Sequence, residues 1–521
     1  MPDELLIQHS ITKIAKSSLI IFITLGIAYA LALIARIILA NYLGPDDFGI
    51  FTLGLTIIGL LGIFSTFSLP VGVTRNISFH YHKRNVEQIR GIILSALTLT
   101  FIFSIFTTII TILISQYISN FYNQQKLNEI LLLLAISIPF TAILTILGSI
   151  FQGFEQTKEN AVFKNLVPNI LRILSYLTVI YLSYGLIGIT LAYTLAIIIP
   201  ALAFCVFFIT KIPKIIHWTW KGTKEYGLLL KFSTPLFIAN YIWNISSQII
   251  LLLIGYYYSP NEIGIFTTAI LFPSIFVFII ESTNFLYLPI FSTLFSKNQF
   301  YEMNRTFQII TKWLILLGIP LVTLFIIYPN QLINSIFETS YSSGANVLII
   351  MTLGSFFSLI QSTSQGSLIA MGKTRLCMYF SSIATLLGII LGILLIPLYG
   401  INGAAIALTI QYFTAMSLYL GSYYSTQKIH PFSKQLIKPL PFFILLSIIL
   451  YVITSEINLK LTIIHLILIF LFYIMILSLS VIIFGGFEKS DIDIIIKIEK
   501  KMGLNLGILK KLVKKIIHID K

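Results

Sequence analysis

The chain of 521 residues is predicted to be an all-α membrane protein. Apolar residues make up 57% of it and charged residues only 10%, which excludes a soluble globular composition. Apolar runs of about 20 residues recur along the chain, the length that crosses the hydrocarbon core of a bilayer as an α-helix. The connections between these runs are too short for separate soluble domains, so the chain is expected to pass through the membrane many times.

Fourteen transmembrane helices are expected, and the first is retained rather than cleaved. Lys13 and Lys16 precede an apolar run that is too long for a signal peptide. The predicted spans are centred near residues 30, 58, 102, 141, 174, 199, 244, 277, 320, 357, 387, 413, 448 and 473.

The distribution of basic residues predicts the orientation. With the N-terminus in the cytoplasm, the inner segments hold 30 of the 34 Lys and Arg, whereas the outer connections hold only Lys126 and Lys460. An even number of spans then places both termini inside. The net charge of +15 follows from this topology, so nucleic-acid binding is not expected.

Two motifs recur at the same offset of 215 residues. The acidic turn Pro45–Thr52 (PDDFGIFT) returns as Pro260–Thr267 (PNEIGIFT), and the turn Tyr184–Gly188 (YGLIG) returns as Tyr399–Gly403 (YGING). Two matches at one spacing predict a duplicated unit. Each unit contains six spans, and because six is even, both copies enter the membrane in the same sense, as two lobes related by a pseudo-twofold axis along the membrane normal.

The predicted organisation follows from the repeat. We expect a cytoplasmic segment at 1–17, an N-lobe of spans 1–6 at 18–210, a basic linker at 211–232, a C-lobe of spans 7–12 at 233–426, two additional spans at 427–485 and a basic tail at 486–521. The tail alternates isoleucine runs with lysine pairs, which is typical either of an amphipathic helix on anionic lipid or of a solvated basic tail.

Three charged residues fall inside predicted spans: Arg36, Arg172 and Glu281. A charge at the bilayer centre costs roughly 2.5 to 3.5 kcal/mol on insertion scales, so such a residue faces a cavity or a partner. Arg36 shares a helical face with Tyr29 and is predicted to line a cavity. The alternatives for Arg36 are snorkelling to the outer surface or pairing with Asp46 or Asp47, and those for Arg172 are snorkelling or a structural pair. For Glu281 the alternatives are ion coupling or a structural ion pair.

Two spans carry polar stripes that follow helical spacing. These stripes either form hydrogen bonds between helices or line a hydrated cavity, and a cavity fits better with Arg36 in the other half. Their members are Asn240, Asn244, Ser247 and Gln248 in span seven, and Ser355, Ser358, Ser362 and Gln365, with Gln361 beside them, in span ten.

Catalytic and cofactor motifs are missing from the sequence. It contains no Walker-type phosphate loop, no HExxH and no GxSxG. Cys205 and Cys377 lack a CxxC spacing, and His80 and His82 have no further ligands for a metal. We therefore predict no catalytic residues, no cofactor and no metal, and a protein that is not an enzyme.

Several segments resemble a known family. Residues 36–51 (RIILANYLGPDDFGIF) and 68–78 (SLPVGVTRNIS) are similar to the opening of polysaccharide exporters and O-antigen flippases. These belong to the superfamily that also contains the multidrug and toxic-compound extruders and the lipid II flippase. The resemblance continues at 152–153, 365–373 and 397–407, and so covers spans one to twelve.

The resemblance implies a V-shaped pair of lobes around a cationic cavity that opens alternately to either side. The implied substrate is an oligosaccharide linked to a polyprenyl (di)phosphate, moved across the prokaryotic cytoplasmic membrane for cell-surface polysaccharide biosynthesis. Arg36 and Arg75 match basic residues expected near the substrate route, and Lys231 is a weaker candidate. The implied partners are the lipid-linked glycan, membrane lipids and other polysaccharide-assembly proteins.

Two other functions remain open from the sequence. A cation-coupled multidrug antiporter of the same superfamily would favour a negatively charged cavity, whereas Glu281 is the one acid inside a predicted span and two arginines oppose it. A membrane glycan polymerase or ligase would require a large outer catalytic loop, and no predicted outer connection is long enough.

Overall fold

The computed structural model describes residues 2–216, 223–429, 434–456 and 461–484. Within these ranges every regular element is helical and no strand occurs, which confirms the all-α prediction. The predicted tail at 486–521 lies outside the described residues, as does part of the linker at 211–232.

Ten helices in the described part of the chain are long and apolar enough to cross a membrane, or eleven if the bent pair Pro260–Ala269 and Ser274–Asn284 forms one span. Ile23–Tyr81 and Thr374–Gln427, with 59 and 54 residues, far exceed the roughly 20 residues of a single crossing. Gly44 and Gly400 break the helical geometry inside these two segments. A multi-pass membrane protein is confirmed, and the number of fourteen spans stays a prediction.

The first half of the chain contains the following helices: α1 (Pro2–Thr66), α2 (Leu69–His82), α3 (Val86–Phe121), α4 (Gln125–Ala135), α5 (Ser137–Gly153), α6 (Thr157–Asn160), α7 (Val167–Leu182) and α8 (Gly185–Ile215). A π-helical segment, Ala161–Leu166, joins α6 to α7.

The second half begins with α9 (Tyr226–Tyr257), α10 (Pro260–Ala269), α11 (Ser274–Ser296), α12 (Phe300–Ile327) and α13 (Pro329–Ile336). A 3-10 segment, Thr339–Gly344, precedes α14 (Ala345–Ala370), α15 (Thr374–Gln427), α16 (Lys434–Ile437), α17 (Leu440–Glu456) and α18 (Ile463–Ile483).

These helices pack as two compact units. The first unit comprises Ile20–Thr267 and Ile396–Ile401, and it has a hydrophobic core where α2, α3, α5 and α8 bury residues such as Ile92, Phe151 and Phe204. In the second unit α11, α12 and α14 pack together, and α18 packs on α12 and α13. The lobe boundaries predicted from the repeat, at 210 and 233, stay predictions.

The two copies of the acidic turn contact each other within the first unit. Asn261 Nδ2 donates a hydrogen bond of 3.1 Å to Asp46 Oδ2. These two residues occupy equivalent positions in the repeat, since they are separated by the same 215 residues. The duplicated motif is therefore also a structural contact between its own copies.

The glycine of each acidic turn lies against the backbone of the other acidic turn. A Cβ atom on Gly49 would overlap the carbonyl group of Pro260, and a Cβ atom on Gly264 would overlap the carbonyl group of Pro45. Equal contacts in both directions are the pattern that a local twofold axis produces. Each position therefore requires a residue without a side chain.

The Tyr-Gly turns also share their conformation. Gly185 and Gly400 both have φ of 59°, in the left-handed region that glycine adopts without steric cost. The Gly185 N–H donates to the Tyr42 hydroxyl at 3.2 Å, and a Cβ atom on Gly400 would lie 3.6 Å from Tyr258 Cζ. Each turn thus lies near a tyrosine that is two or three residues before an acidic turn.

We predict that Gly264→Ala lowers the thermal stability of the protein. The added methyl group meets a backbone carbonyl, which cannot move aside as a side chain can, and overpacking of this kind typically costs about 1 to 3 kcal/mol. The measurement is thermal unfolding of the purified protein in detergent. Gly62→Ala is the matched control, because a Cβ atom there has nothing within 4 Å. Equal melting temperatures for the two variants would contradict the prediction.

Candidate functional site

Arg36 lies in α1, eight residues before Gly44, within a segment predicted to cross the membrane. Its side chain is exposed, yet protein atoms surround it closely. Its electrostatic neighbours are Arg172, Tyr193, Tyr29 and Tyr176. Exposure together with dense protein surroundings is what a side chain on the wall of a cavity shows. The structure therefore brings three predicted site residues, Arg36, Arg172 and Tyr29, into one neighbourhood of the first unit.

The guanidinium group of Arg172 is held by two contacts. It lies over the Tyr193 ring, 4.6 Å from the centroid, and its Nη1 donates to Asn169 Oδ1 at 3.2 Å. Its Nε is buried and has no hydrogen-bond partner among the described residues. A guanidinium whose position is fixed but whose donors are incompletely used can still bind a ligand.

Asn169 connects this arginine to α1. Its Nδ2 donates to the carbonyl oxygens of Ala28 at 3.2 Å and of Asn165 at 2.8 Å, while its Oδ1 accepts from Arg172. The contact with Ala28 joins α7 to the helix that carries Arg36. Asn169 therefore helps to determine the distance between the two cations.

Asn169, Arg172 and Tyr176 follow the i, i+3, i+7 spacing and so share one face of α7, and Asn165 lies in the π-helical segment just before that helix. Only Arg172 of these residues was predicted from the sequence, because it is charged. The helical spacing that predicts the stripes of spans seven and ten would also have found Asn169 and Tyr176.

Aromatic side chains form the packed side of the site. Tyr176 is 2% exposed, and the Tyr193 ring packs edge-on against Phe51 with centroids 5.7 Å apart. Phe51 is itself buried in α1. The ring under Arg172 is thus held between that cation and the packed interior.

No carboxylate lies in the helical segments immediately around the two arginines. Neither residues 23–44 nor residues 161–200, both fully described, contain Asp or Glu. The acids considered as partners for Arg36 bind elsewhere, since Asp47 forms an ion pair of 2.7 Å with Lys126 and Asp46 accepts from Asn261. Two like charges close together repel, and an anion between them removes that repulsion. The cluster therefore has the chemistry of an anion site.

Arg75 is exposed at α2, and its guanidinium lies 4.9 Å from the centroid of the Phe232 ring. Lys231, next to that ring in sequence, is also exposed. The structure gives Arg75 a cation–π contact outside the Arg36 cluster, and a role for either residue in substrate binding stays a prediction.

The stripe predicted in span seven is only partly described. The side chains of Asn240 and Asn244 lie outside the described residues, Ser247 is exposed and Gln248 is half-buried. Their predicted role in a cavity stays a prediction.

The stripe predicted in span ten lies on α14 of the second unit. Gln361 and Ser362 are buried, and the Ser362 hydroxyl donates to the Leu359 carbonyl of its own helix at 2.7 Å. Ser358 likewise donates to the Ser355 carbonyl, and Gln365 is hydrogen-bonded to Tyr419. Several of these polar groups are thus already satisfied within the second unit, and their contact with a substrate stays a prediction.

Glu281 is exposed on α11 of the second unit. A role in ion coupling stays a prediction. No group of three or more His, Cys, Asp or Glu in the described ranges has the geometry to hold a metal ion.

Solved structures with a similar arrangement of helices are membrane transporters. The lipid II flippase MurJ in an inward closed conformation superimposes with a TM-score of 0.72 at 19% identity, over 90% of this chain and 98% of that chain. An inward-facing multidrug resistance MATE family transporter of the MOP superfamily gives a TM-score of 0.66 at 13% identity, over 77% of this chain and 94% of that chain. The fold is therefore that of the MurJ- and MATE-like helical transporters.

The family is shown by the sequence match over residues 38–346, which exceeds half of the chain. The chain belongs to the family described as "Polysaccharide biosynthesis protein". The resemblance to polysaccharide exporters of this superfamily is thereby confirmed.

Two curated proteins are similar in sequence to this chain. A putative O-antigen transporter of Shigella flexneri is 22% identical over 399 residues, which cover 72% of this chain and 88% of the relative. An uncharacterized membrane protein of Methanocaldococcus jannaschii is 22% identical over 419 residues, which cover 74% of this chain and 79% of the relative.

We predict that Asn169→Asp weakens anion binding at the arginine cluster. The new carboxylate would lie beside Arg172 Nη1 and compete with an external anion for the guanidinium, so the Kd for inorganic pyrophosphate should rise about tenfold or more. Titration calorimetry on the purified protein measures it. Asn165→Asp is the matched control, with the same charge change one turn away. An equal effect of both substitutions would show that Asn169 has no special relation to Arg172.

Proposed function

We propose that this protein is a flippase that moves an oligosaccharide linked to a polyprenyl (di)phosphate across the prokaryotic cytoplasmic membrane, for cell-surface polysaccharide biosynthesis. The observation that carries the proposal is the pair Arg36 and Arg172, two cations in helical segments, 23–44 and 161–200, that contain no acid. The membership of the chain in the polysaccharide biosynthesis family supports the same substrate class.

The physical task of such a transporter is to carry phosphate charge through hydrocarbon. An ion that leaves water for a medium of low dielectric loses solvation energy, which fixed opposite charge can replace. Guanidinium groups suit this task because they stay charged and offer paired donors to phosphate oxygens. The lipid tail would remain in the bilayer while the headgroup passes through the protein.

The proposal includes alternating access of two six-helix lobes, fourteen spans and both termini in the cytoplasm. Arg36, Arg172 and Tyr29 would bind the anionic headgroup, Arg75 would lie near its route, and the polar stripes of spans seven and ten would bind sugar hydroxyls. Transport of this kind forms and breaks no covalent bond, so the protein would not act as an enzyme. The lipid-linked glycan, membrane lipids and other polysaccharide-assembly proteins would be its partners.

Two other functions are less well supported. A multidrug antiporter for organic cations would have to bind them beside two arginines, where they would be repelled. A glycan polymerase or ligase would require an outer catalytic loop, whereas the connection between α3 and α4 in the proposed outer face is only residues 122–124.

We predict that Arg36→Glu abolishes surface polysaccharide in cells that depend on this protein. The reversed charge repels phosphate where the wild type attracts it, so the lipid-linked glycan should accumulate on the cytoplasmic face. The measurement is the amount of surface glycan and of lipid-linked intermediate at equal levels of membrane protein.

Arg84→Glu is the control for this experiment, because it makes the same charge change at an exposed position outside the arginine cluster. Arg36→Lys should retain part of the activity, since it keeps the charge but loses the paired donors. Normal surface glycan in Arg36→Glu cells would refute the flippase proposal.

A further inference from the structure

The π-helical segment Ala161–Leu166 interrupts the helical register at the predicted cytoplasmic end of the span that carries Arg172. The Val167 N–H bonds to the carbonyl of Val162, five residues earlier instead of four. Single π-turns of this kind are rare and occur frequently at functional sites. The segment contains Lys164, one of the basic residues of the predicted inner segments.

Contacts on two sides fix the rotation of this segment. The Phe163 ring stacks on Phe204 of α8, with centroids 4.6 Å apart and planes within 4°. Just before the segment, Asn160 packs on α5 so closely that a Cβ atom on Gly148 would lie 2.9 Å from Asn160 Cγ. The π-turn is therefore built into the packing of the first unit.

The π-turn changes which face of the helix Lys164 occupies. Lys164 precedes Arg172 by eight residues, which in a continuous α-helix at 100° per residue leaves them about 80° apart. A π-turn advances by roughly 80° per residue, and three such steps reduce the difference to roughly 20°. Lys164 then lies in line with Arg172, about 12 Å away along the helix axis.

The surroundings of Lys164 resemble those of Arg36. The lysine is exposed, yet protein atoms surround it closely. Lys158, six residues earlier in α6, is also exposed but precedes the π-turn. No acid occurs in residues 161–200 or 23–44, so the segments that carry Lys164, Arg172 and Arg36 contain no carboxylate, and Glu159 lies just before the π-turn.

We propose that Lys164 is a first binding subsite for the phosphate group of the substrate, reached before the Arg36–Arg172 cluster and aligned with it by the π-turn. The inference rests on the proposed flippase function. An ammonium group on a flexible stem is strongly hydrated and can bind a phosphate that still carries its water. The arginines, with paired donors held by Tyr193 and Asn169, would bind the phosphate after that water is lost.

The experiment measures association of a diphosphate probe, farnesyl diphosphate with a fluorophore on its tail, with the full-length protein in lipid nanodiscs. A charge at the approach to a site changes mainly the association rate and its salt dependence. For Lys164→Gln we expect roughly tenfold slower association at low salt, a shallower salt dependence and little change in the dissociation rate. Arg172→Gln should instead speed dissociation.

Lys158→Gln is the matched control and should associate at the wild-type rate, while Lys164→Arg should restore the rate because it keeps the charge. If Lys164→Gln associates like wild type while Arg36→Glu abolishes binding, the subsite inference is overturned and the flippase proposal stands. If the wild-type protein fails to bind the diphosphate probe at all, the proposed function itself fails.

Discussion

Positive charge without a carboxylate partner is the constraint on which the first unit depends. In a medium of low dielectric, a guanidinium is stable only if other groups replace the water it has lost. Tyr193 supplies a ring face to Arg172 and Asn169 supplies an amide oxygen, but neither cancels the charge. Arg36 itself is exposed at the surface of the protein. The contacts of the cluster thus hold its cations in place without neutralising them, which leaves their charge available to a ligand.

Elements fixed by local sequence were predictable, and those fixed by tertiary contacts were not. Apolar runs predicted the helices and the membrane, and the cost of charge in hydrocarbon selected Arg36 and Arg172. The π-turn before α7 follows from the stacking of Phe163 on Phe204, two residues that no local pattern connects. Asn169 was missed for another reason: its spacing from Arg172 is visible in the sequence, but in this span only the charged residue was taken as a candidate. The acids near Arg36 in the sequence suggested ion pairs with this arginine, whereas in the folded protein Asp47 forms its ion pair with Lys126.

The two halves of the duplication differ in chemistry while they share backbone geometry. Position 251, equivalent to Arg36 at the offset of 215, is Leu251. The cation cluster described for α1 and α7 therefore has no arginine at the matching point of α9. Duplication supplied a pair of similar scaffolds, and the charged side chains distinguish one from the other.

The reciprocal contact of the acidic turns explains why an ancient duplication can still be recognised in the sequence. The matches survive at Gly49 and Gly264, where a methyl group would strike the backbone of the other copy, and at Gly185 and Gly400, where φ is positive. Outside the two motifs equivalent positions can differ in chemistry, as Arg36 and Leu251 do. The repeat is thus still visible at positions where backbone contacts or a positive φ require glycine. Its recognisable matches therefore reflect steric constraint as well as common descent.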